Sequence, residues 1–138
     1  MTTPFNLNPR AATGFQNAAS YDAHRPTFPA EAVDKLLTHL GVANVKNARI
    51  IDLGCGTGKF TEALAGREEE FEVVGVEPHA GMREQLVKKK LRGVQVEAGD
   101  AAHMPIEDGW GDAVIAAQVS CWSSQVYHVR GRMLITCW

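Results

Sequence analysis

The chain has 138 residues and a mass of 15.0 kDa, enough for one domain with its own core and too short for two. Hydrophobic residues make up 45% and charged residues 22%, the balance of a globular rather than a disordered chain. Lys and Arg number 14 against 16 Asp and Glu, a net charge of -2, which excludes a basic nucleic-acid arm or a polybasic membrane anchor as the main theme. No apolar run is long enough to span a bilayer, and no charged start followed by an apolar segment marks a secretory signal. Cys55, Cys121 and Cys137 form no Cys-x-x-Cys pair and no disulfide framework. Their odd count suits a reducing compartment, so a cytoplasmic protein is expected. The five histidines show no metal-ligand spacing.

Residues 1–20 hold no acid, a single base (Arg10) and no apolar period, the pattern of a flexible N-terminal arm. Residues 29–40 read as a helix. Pro29 suits its first position, and Val33, Leu36, Leu37 and Leu40 form one apolar stripe. Gly41 is the expected stop. Ala48–Leu53 is a short apolar run ending in glycines, the mark of a strand covered on both faces. Lys59–Ala65 is a short helix closed by Gly66, Phe71–Glu77 a second strand, and Met82–Leu91 a helix with Lys88, Lys89 and Lys90 in its last turn. Glu68, Glu69 and Glu70 read as a solvated acidic loop. Val94–Ala98 is a third strand. Residues 99–111 are a loop broken by Pro105, Gly109 and Gly111, and Asp112–Gln118 is a fourth strand. Strands alternating with helices predict an α/β fold around a parallel sheet with right-handed crossovers.

The strongest local signal is Ile51-Asp52-Leu53-Gly54-Cys55-Gly56-Thr57-Gly58. Glycines alternate at a strand end and open a helix, where positive φ or close approach of a ligand requires them and where unpaired N–H groups are on offer. Such a turn holds a pyrophosphate or another nucleoside-type ligand. A dinucleotide turn needs Gly-x-Gly-x-x-Gly, and counting from Gly54 the third glycine falls on Lys59. A P-loop needs Ser or Thr after Gly-Lys, and Phe60 follows Lys59. Asp52 is also wrong beside a diphosphate and right beside a cation. Glu77, at the end of the second strand, is placed to take both hydroxyls of a ribose. Asp100, after the third strand, can accept from an exocyclic amine. In an open parallel sheet all three acids share the edge where ligands bind. The ligand implied has a cationic part, a ribose and an amino-bearing base, and no phosphate.

Ile51–Gly58, Val74-Gly75-Val76-Glu77-Pro78, and Gly99-Asp100-Ala101 before Met104-Pro105 together resemble the first three motifs of class I S-adenosylmethionine-dependent methyltransferases, nearest the small-molecule group of trans-aconitate and ubiquinone-pathway type. Tyr21-Asp22, Arg25-Pro26 and Pro29 are similar to the segment before the fold in that group, and Asp108-Gly109 to the entry of the fourth strand. The resemblance implies a Rossmann-like parallel sheet, S-adenosylmethionine as cofactor, and a small-molecule methyl acceptor, with neither nucleic acid nor membrane as partner. It implies that Asp52 lies near the methionine ammonium, and that Gly54, Gly56 and Gly58, with Cys55 between them, let the cofactor approach the backbone. Glu77 would hold the ribose. Pro78, His79 and Met82 would flank the adenine, and Asp100 and the Ala101 N–H would read its edge. Gln118 would sit near the methyl group, with Tyr21 and Arg25 closing over the carboxylate. No catalytic residue follows: His24, His79 and His103 are the nearby bases, and none is singled out. Cys55 is either a thiolate favoured at a helix start or a small turn residue. Trp110 either floors a pocket or is a plain turn aromatic.

The resemblance spans roughly residues 15–118. Residues 119–138 depart from it, with neither the expected helix nor a Pro-Gly-Gly strand end. The expectation is therefore an incomplete sheet of about four strands over 21–118, an atypical tail, and a chain shortened at its C-terminus. The outer edge of the fourth strand would lack its family partner and invite self-association. An inert cofactor-binding fragment is the alternative to an active enzyme. A nicotinamide oxidoreductase fragment is opposed by the glycine spacing and Asp52.

Overall fold

The computed structural model describes residues 28–100, 102–107 and 109–116. Helix α1 (Ala30–Leu40) leads into β1 (Arg49–Leu53), followed by α2 (Lys59–Ala65), β2 (Glu72–Glu77), α3 (Ala80–Lys88), β3 (Val94–Ala98) and β4 (Ala113–Ile115). The sheet is parallel throughout, with strand order β3-β2-β1-β4. Successive strands step outward from β1 to β3, then the order switches to the other side of β1. Two right-handed crossovers in one direction put α2 and α3 on the same face.

Alternation along the strands divides the core between the two faces. Ile50, Val73, Ala113 and Ile115 pack with Val33, Leu36, Leu37 and Leu40 of α1 and with Phe60 and Leu64 of α2. Ile51, Leu53, Val74, Val76, Val114 and Ala116 form the opposite cluster, against Met104, Ile106 and Trp110. Burial on both faces is why β1 and β2 read as continuous apolar runs rather than alternating ones. Gly41 ends α1 with φ of 75°, and its N–H bonds to the carbonyl of Thr38.

Some boundaries differ from the sequence reading. Pro29 stands at the cap of α1, one place before the helix. Helix α3 begins at Ala80 because the His79 ring accepts from the Met82 N–H and caps it. It ends at Lys88, and Lys90 turns left-handed with φ of 51°, so only the first of the three lysines lies within the helix. The Glu68–Glu70 segment is not uniformly solvated. Glu69 is 5% exposed and accepts from the Arg67 guanidinium at 3.0 Å and the Asn44 N–H at 3.2 Å. Burial opposes its charge, but those donors prevail and hold the carboxyl below its usual range. Arg67 also reaches Asp34 of α1 at 2.5 Å, tying helix to loop.

This network belongs to the edge of the sheet where strands begin. A cavity of about 760 Å³ opens there among Lys46, Arg67, Glu70, Phe71 and Arg92. Its cations already have partners: Arg67 with Asp34 and Glu69, Arg92 with Glu70, and Lys46 with the Glu68 carbonyl. Trp110 lies on the same side, half-buried, with the Arg49 guanidinium 5.5 Å from its ring centre. It packs against the core cluster of Ile51, Leu53, Val74 and Val76.

Candidate functional site

At the edge where strands end, β1 delivers the glycine turn, β2 delivers Glu77, and the segment after β3 delivers Asp100. The register sets Leu53 beside Val76, and Glu77 beside Ala98, so the three chain exits are level.

Gly54, Gly56 and Gly58 all have left-handed φ, at 67°, 59° and 91°, a conformation that costs an L side chain about 1–2 kcal/mol. Their reasons differ. A Cβ on Gly58 would strike the Leu86 side chain of α3, so this glycine lets two elements pack. Among the described residues a Cβ on Gly56 would meet nothing within 4 Å, so they leave this side of the turn open. The Gly54 N–H bonds to the Val76 carbonyl at 2.7 Å, stitching the turn to β2.

Glu77 is 9% exposed. One carboxylate oxygen accepts from the Gly56 N–H and the other from the His79 N–H, each at 3.1 Å. A carboxylate has about four lone-pair sites, so acceptor capacity remains toward the open side. Burial pushes its pKa above the usual range, while the His79 and Gly56 N–H groups and the Arg83 charge hold it back. Arg83 donates to the carbonyls of Glu77 and Pro78, both at 2.8 Å, and so shapes the turn that carries them.

Asp52 is not at the open surface. It is 1% exposed, and its Oδ2 accepts from the Thr61 hydroxyl of α2 at 2.5 Å. It pairs with Gly75, and its side chain shares a sheet face with Glu77, one strand over and two residues on. Burial raises its pKa to about 7; the Thr61 hydrogen bond opposes the rise and the Glu77 charge adds to it.

Asp100 folds back on its own loop. Its Oδ1 accepts from the N–H groups of Ala102 and His103 at 2.9 Å, with His103 Nδ1 at 3.3 Å. Oδ2 takes no part in that turn. Gly99 is required beside it, because a Cβ there would meet the His103 carbonyl.

Cys55 is buried, its Sγ where a Cβ on Gly75 would come within 2.8 Å. Burial, then the charges of Asp52 and Glu77, push its thiol upward, which favours a small buried turn residue over a thiolate. Met82 is 2% exposed and sits inside the molecule, while Pro78 and His79 are half-buried. Tyr21, Arg25, Ala101 and Gln118 lie outside the described residues, as do the outer end of the expected fourth strand and the 119–138 segment.

The structure thus brings together the glycine turn, Glu77 and, further along the edge, Asp100, and sets Asp52 beneath them. Sequence reasoning missed Thr61, which has no pattern to announce it. It also missed Arg83, whose one signal is a base in the first turn of a helix, where an acid is usual. Among the described residues no group of three or more His, Cys, Asp or Glu is placed to hold a metal. Among the same residues no helix is long and apolar enough to cross a membrane.

A family profile described as "Methyltransferase domain" matches residues 50–132. An uncharacterized methyltransferase of Mycobacterium tuberculosis is 36% identical over 103 residues, covering 75% of this chain and 39% of that one. A malonyl-acyl-carrier-protein O-methyltransferase of Geobacter sulfurreducens is 31% identical over 109 residues, covering 78% of this chain and 40% of that one. The chain therefore spans about 40% of the length of these curated relatives. Among solved structures, the DhpI-SAM-HEP complex superposes with a TM-score of 0.58 at 24% identity, covering 88% of this chain and 54% of that one, a likeness of fold.

Proposed function

This chain belongs to the family of methyltransferase domains, and from that premise we propose that residues 21–118 bind S-adenosylmethionine at the strand-end edge for methyl transfer to a small-molecule acceptor. The observation that carries the proposal is the Gly56–Glu77 pair: a left-handed glycine whose side of the turn the described residues leave open, with its N–H held by a buried carboxylate of the next strand. A diphosphate would meet Glu77 as a like charge. An uncharged ribose diol meets Glu77 as an acceptor, and a cation gains from both acids.

Glu77 would take the ribose hydroxyls on its remaining lone pairs. Pro78 and His79 border the base, and Met82 supports that border from inside. Asp100 Oδ2 and the Ala101 N–H read the amine edge. Asp52 stabilises the ligand's cationic end through the field beneath the turn. The family resemblance assigns Gln118 to the transferred group, and Tyr21 and Arg25 to the carboxylate. Bound in this way, the ligand's sulfonium supplies an electrophilic methyl group. The protein's part is to hold that group in line with an acceptor nucleophile and to exclude water.

The relative named for malonyl-acyl-carrier-protein O-methylation makes carboxylic acids the first acceptors to try. A calorimetric titration of the purified chain with S-adenosylmethionine, NAD serving as control, tests the reading. Saturable binding of the first alone supports it. Binding of NAD, or of neither, refutes it. Binding without turnover across an acceptor panel favours the inert-fragment alternative.

A further inference from the structure

Asp52 and Glu77 are two buried carboxyls on one sheet face, on adjacent strands, directly under the turn to which the ligand is assigned. Glu77 has two backbone N–H donors and a nearby guanidinium in Arg83. Asp52 has one neutral partner, the Thr61 hydroxyl. The surroundings of Asp52 among the described residues offer no compensating cation. Helix α1 presents Val33, Leu36, Leu37 and Leu40, and β4 presents Ala113 and Ile115. From α2 comes Thr61, with Lys59 and Glu62 only part-buried at the helix start. From β2 comes Glu77, from the turn the buried Cys55 thiol, and from α3 Arg83 and the capping His79, which act on Glu77. A lone carboxylate in such a place is costly, and a second one nearby makes it costlier.

We propose that Asp52 carries a proton when no cationic ligand is bound, and that a positively charged adenosine compound expels this proton to the solvent on binding, so that the pocket selects cationic over neutral adenosine ligands to a degree set by pH. Asp52 then passes from carboxylic acid to carboxylate, keeping the Thr61 hydroxyl as its donor, while the ligand supplies the balancing charge. The inference rests on the S-adenosylmethionine reading above and deepens it. The upward displacement of the Asp52 pKa to about 7 agrees with it.

The test is calorimetry of the full chain at pH 5.5 and pH 7 in two buffers of different ionisation enthalpy. S-adenosylmethionine and 5′-methylthioadenosine are the ligands, the second keeping the adenosine and lacking the charge. S-adenosylmethionine should release close to one proton at pH 5.5 and bind roughly ten- to twentyfold more weakly there than at pH 7. Methylthioadenosine should release none and bind alike at both pH values. Asp52→Asn, which retains an acceptor for Thr61, should abolish the proton release. If that variant does not fold, a carbon-13 titration of the wild-type aspartate carboxyls serves instead: one should ionise near neutrality in the free chain and remain ionised at pH 5.5 with S-adenosylmethionine. Equal proton release with both ligands or with Asp52→Asn, or no aspartate titrating near neutrality, overturns the inference while leaving the binding reading intact. Failure of both ligands to bind overturns the binding reading, and this inference with it.

Discussion

Replacing Glu77 by glutamine separates two duties of one side chain. Both carboxylate oxygens accept backbone N–H bonds at 3.1 Å, from Gly56 and from His79. Glutamine retains a single acceptor oxygen, so its NH2 must face one of those N–H groups, donor against donor. Leaving one such donor without a partner at a site 9% exposed costs about 1–3 kcal/mol. Removing a buried charge offsets part of this, because burial already works against ionised Glu77. The expected net loss is on the order of 1–2 kcal/mol, which lowers Tm by roughly 3–8 °C in a chain of this size. Ligand affinity should suffer more. Hydrogen bonds to a charged acceptor are worth about 1.5–3 kcal/mol, roughly a ten- to hundredfold weakening for S-adenosylmethionine. Thermal denaturation followed by calorimetric titration well below Tm reads the two effects apart. A variant with unchanged Tm would show that the two N–H bonds do not hold the turn. A folded variant with unchanged affinity would remove Glu77 from the ribose site.

Asp52 gives a pH signature in stability. Its folded pKa is raised from 3.8 to about 7, so between these values the native chain holds a proton that the unfolded chain has lost. Stability from this group is therefore present at pH 4 and lost as pH rises through 7, by up to about 4 kcal/mol. Urea denaturation of Asp52→Asn should show that slope flattened, with the variant at least as stable as wild type at pH 8; an unaltered slope would contradict the assignment. Thr61→Val removes the hydroxyl bonded to Asp52 and should destabilise by about 1–3 kcal/mol, with the pH-dependent loss of stability extending to higher pH, because that bond opposes the rise in the Asp52 pKa; equal stability of variant and wild type in the same assay would argue against that bond. Gly56→Ala should cost about 1–2 kcal/mol for its left-handed backbone while weakening ligand binding, because the methyl enters the open side of the turn. Gly58→Ala should cost more stability, since its methyl also strikes Leu86; the reverse order in thermal melts would mean that the turn packs differently.

Much of the fold was legible because burial on both faces of a parallel sheet leaves a plain trace in the chain. The runs at β1 and β2, the apolar stripe of α1 and the glycine closing it could be read with boundaries good to a residue or so. The glycine turn and the acids at the strand ends were legible for a related reason: backbone that must turn left-handed, and carboxyls at strand ends, are constraints on single residues. What could not be read was which way each acid points. Asp52 and Glu77 look alike as acids near a glycine turn, yet Glu77 reaches back to the Gly56 N–H while Asp52 turns under the turn to Thr61, nine residues on. Nor could the chain show that Glu69, alone of the three consecutive acids Glu68, Glu69 and Glu70, lies buried against Arg67. The identity and order of residues specify strands, turns and the chemistry on offer at the sheet edge. Partner, burial and protonation depend on which side chains meet across neighbouring elements, and those meetings arise only when the crossovers bring α2 and α3 down on the same face of the sheet.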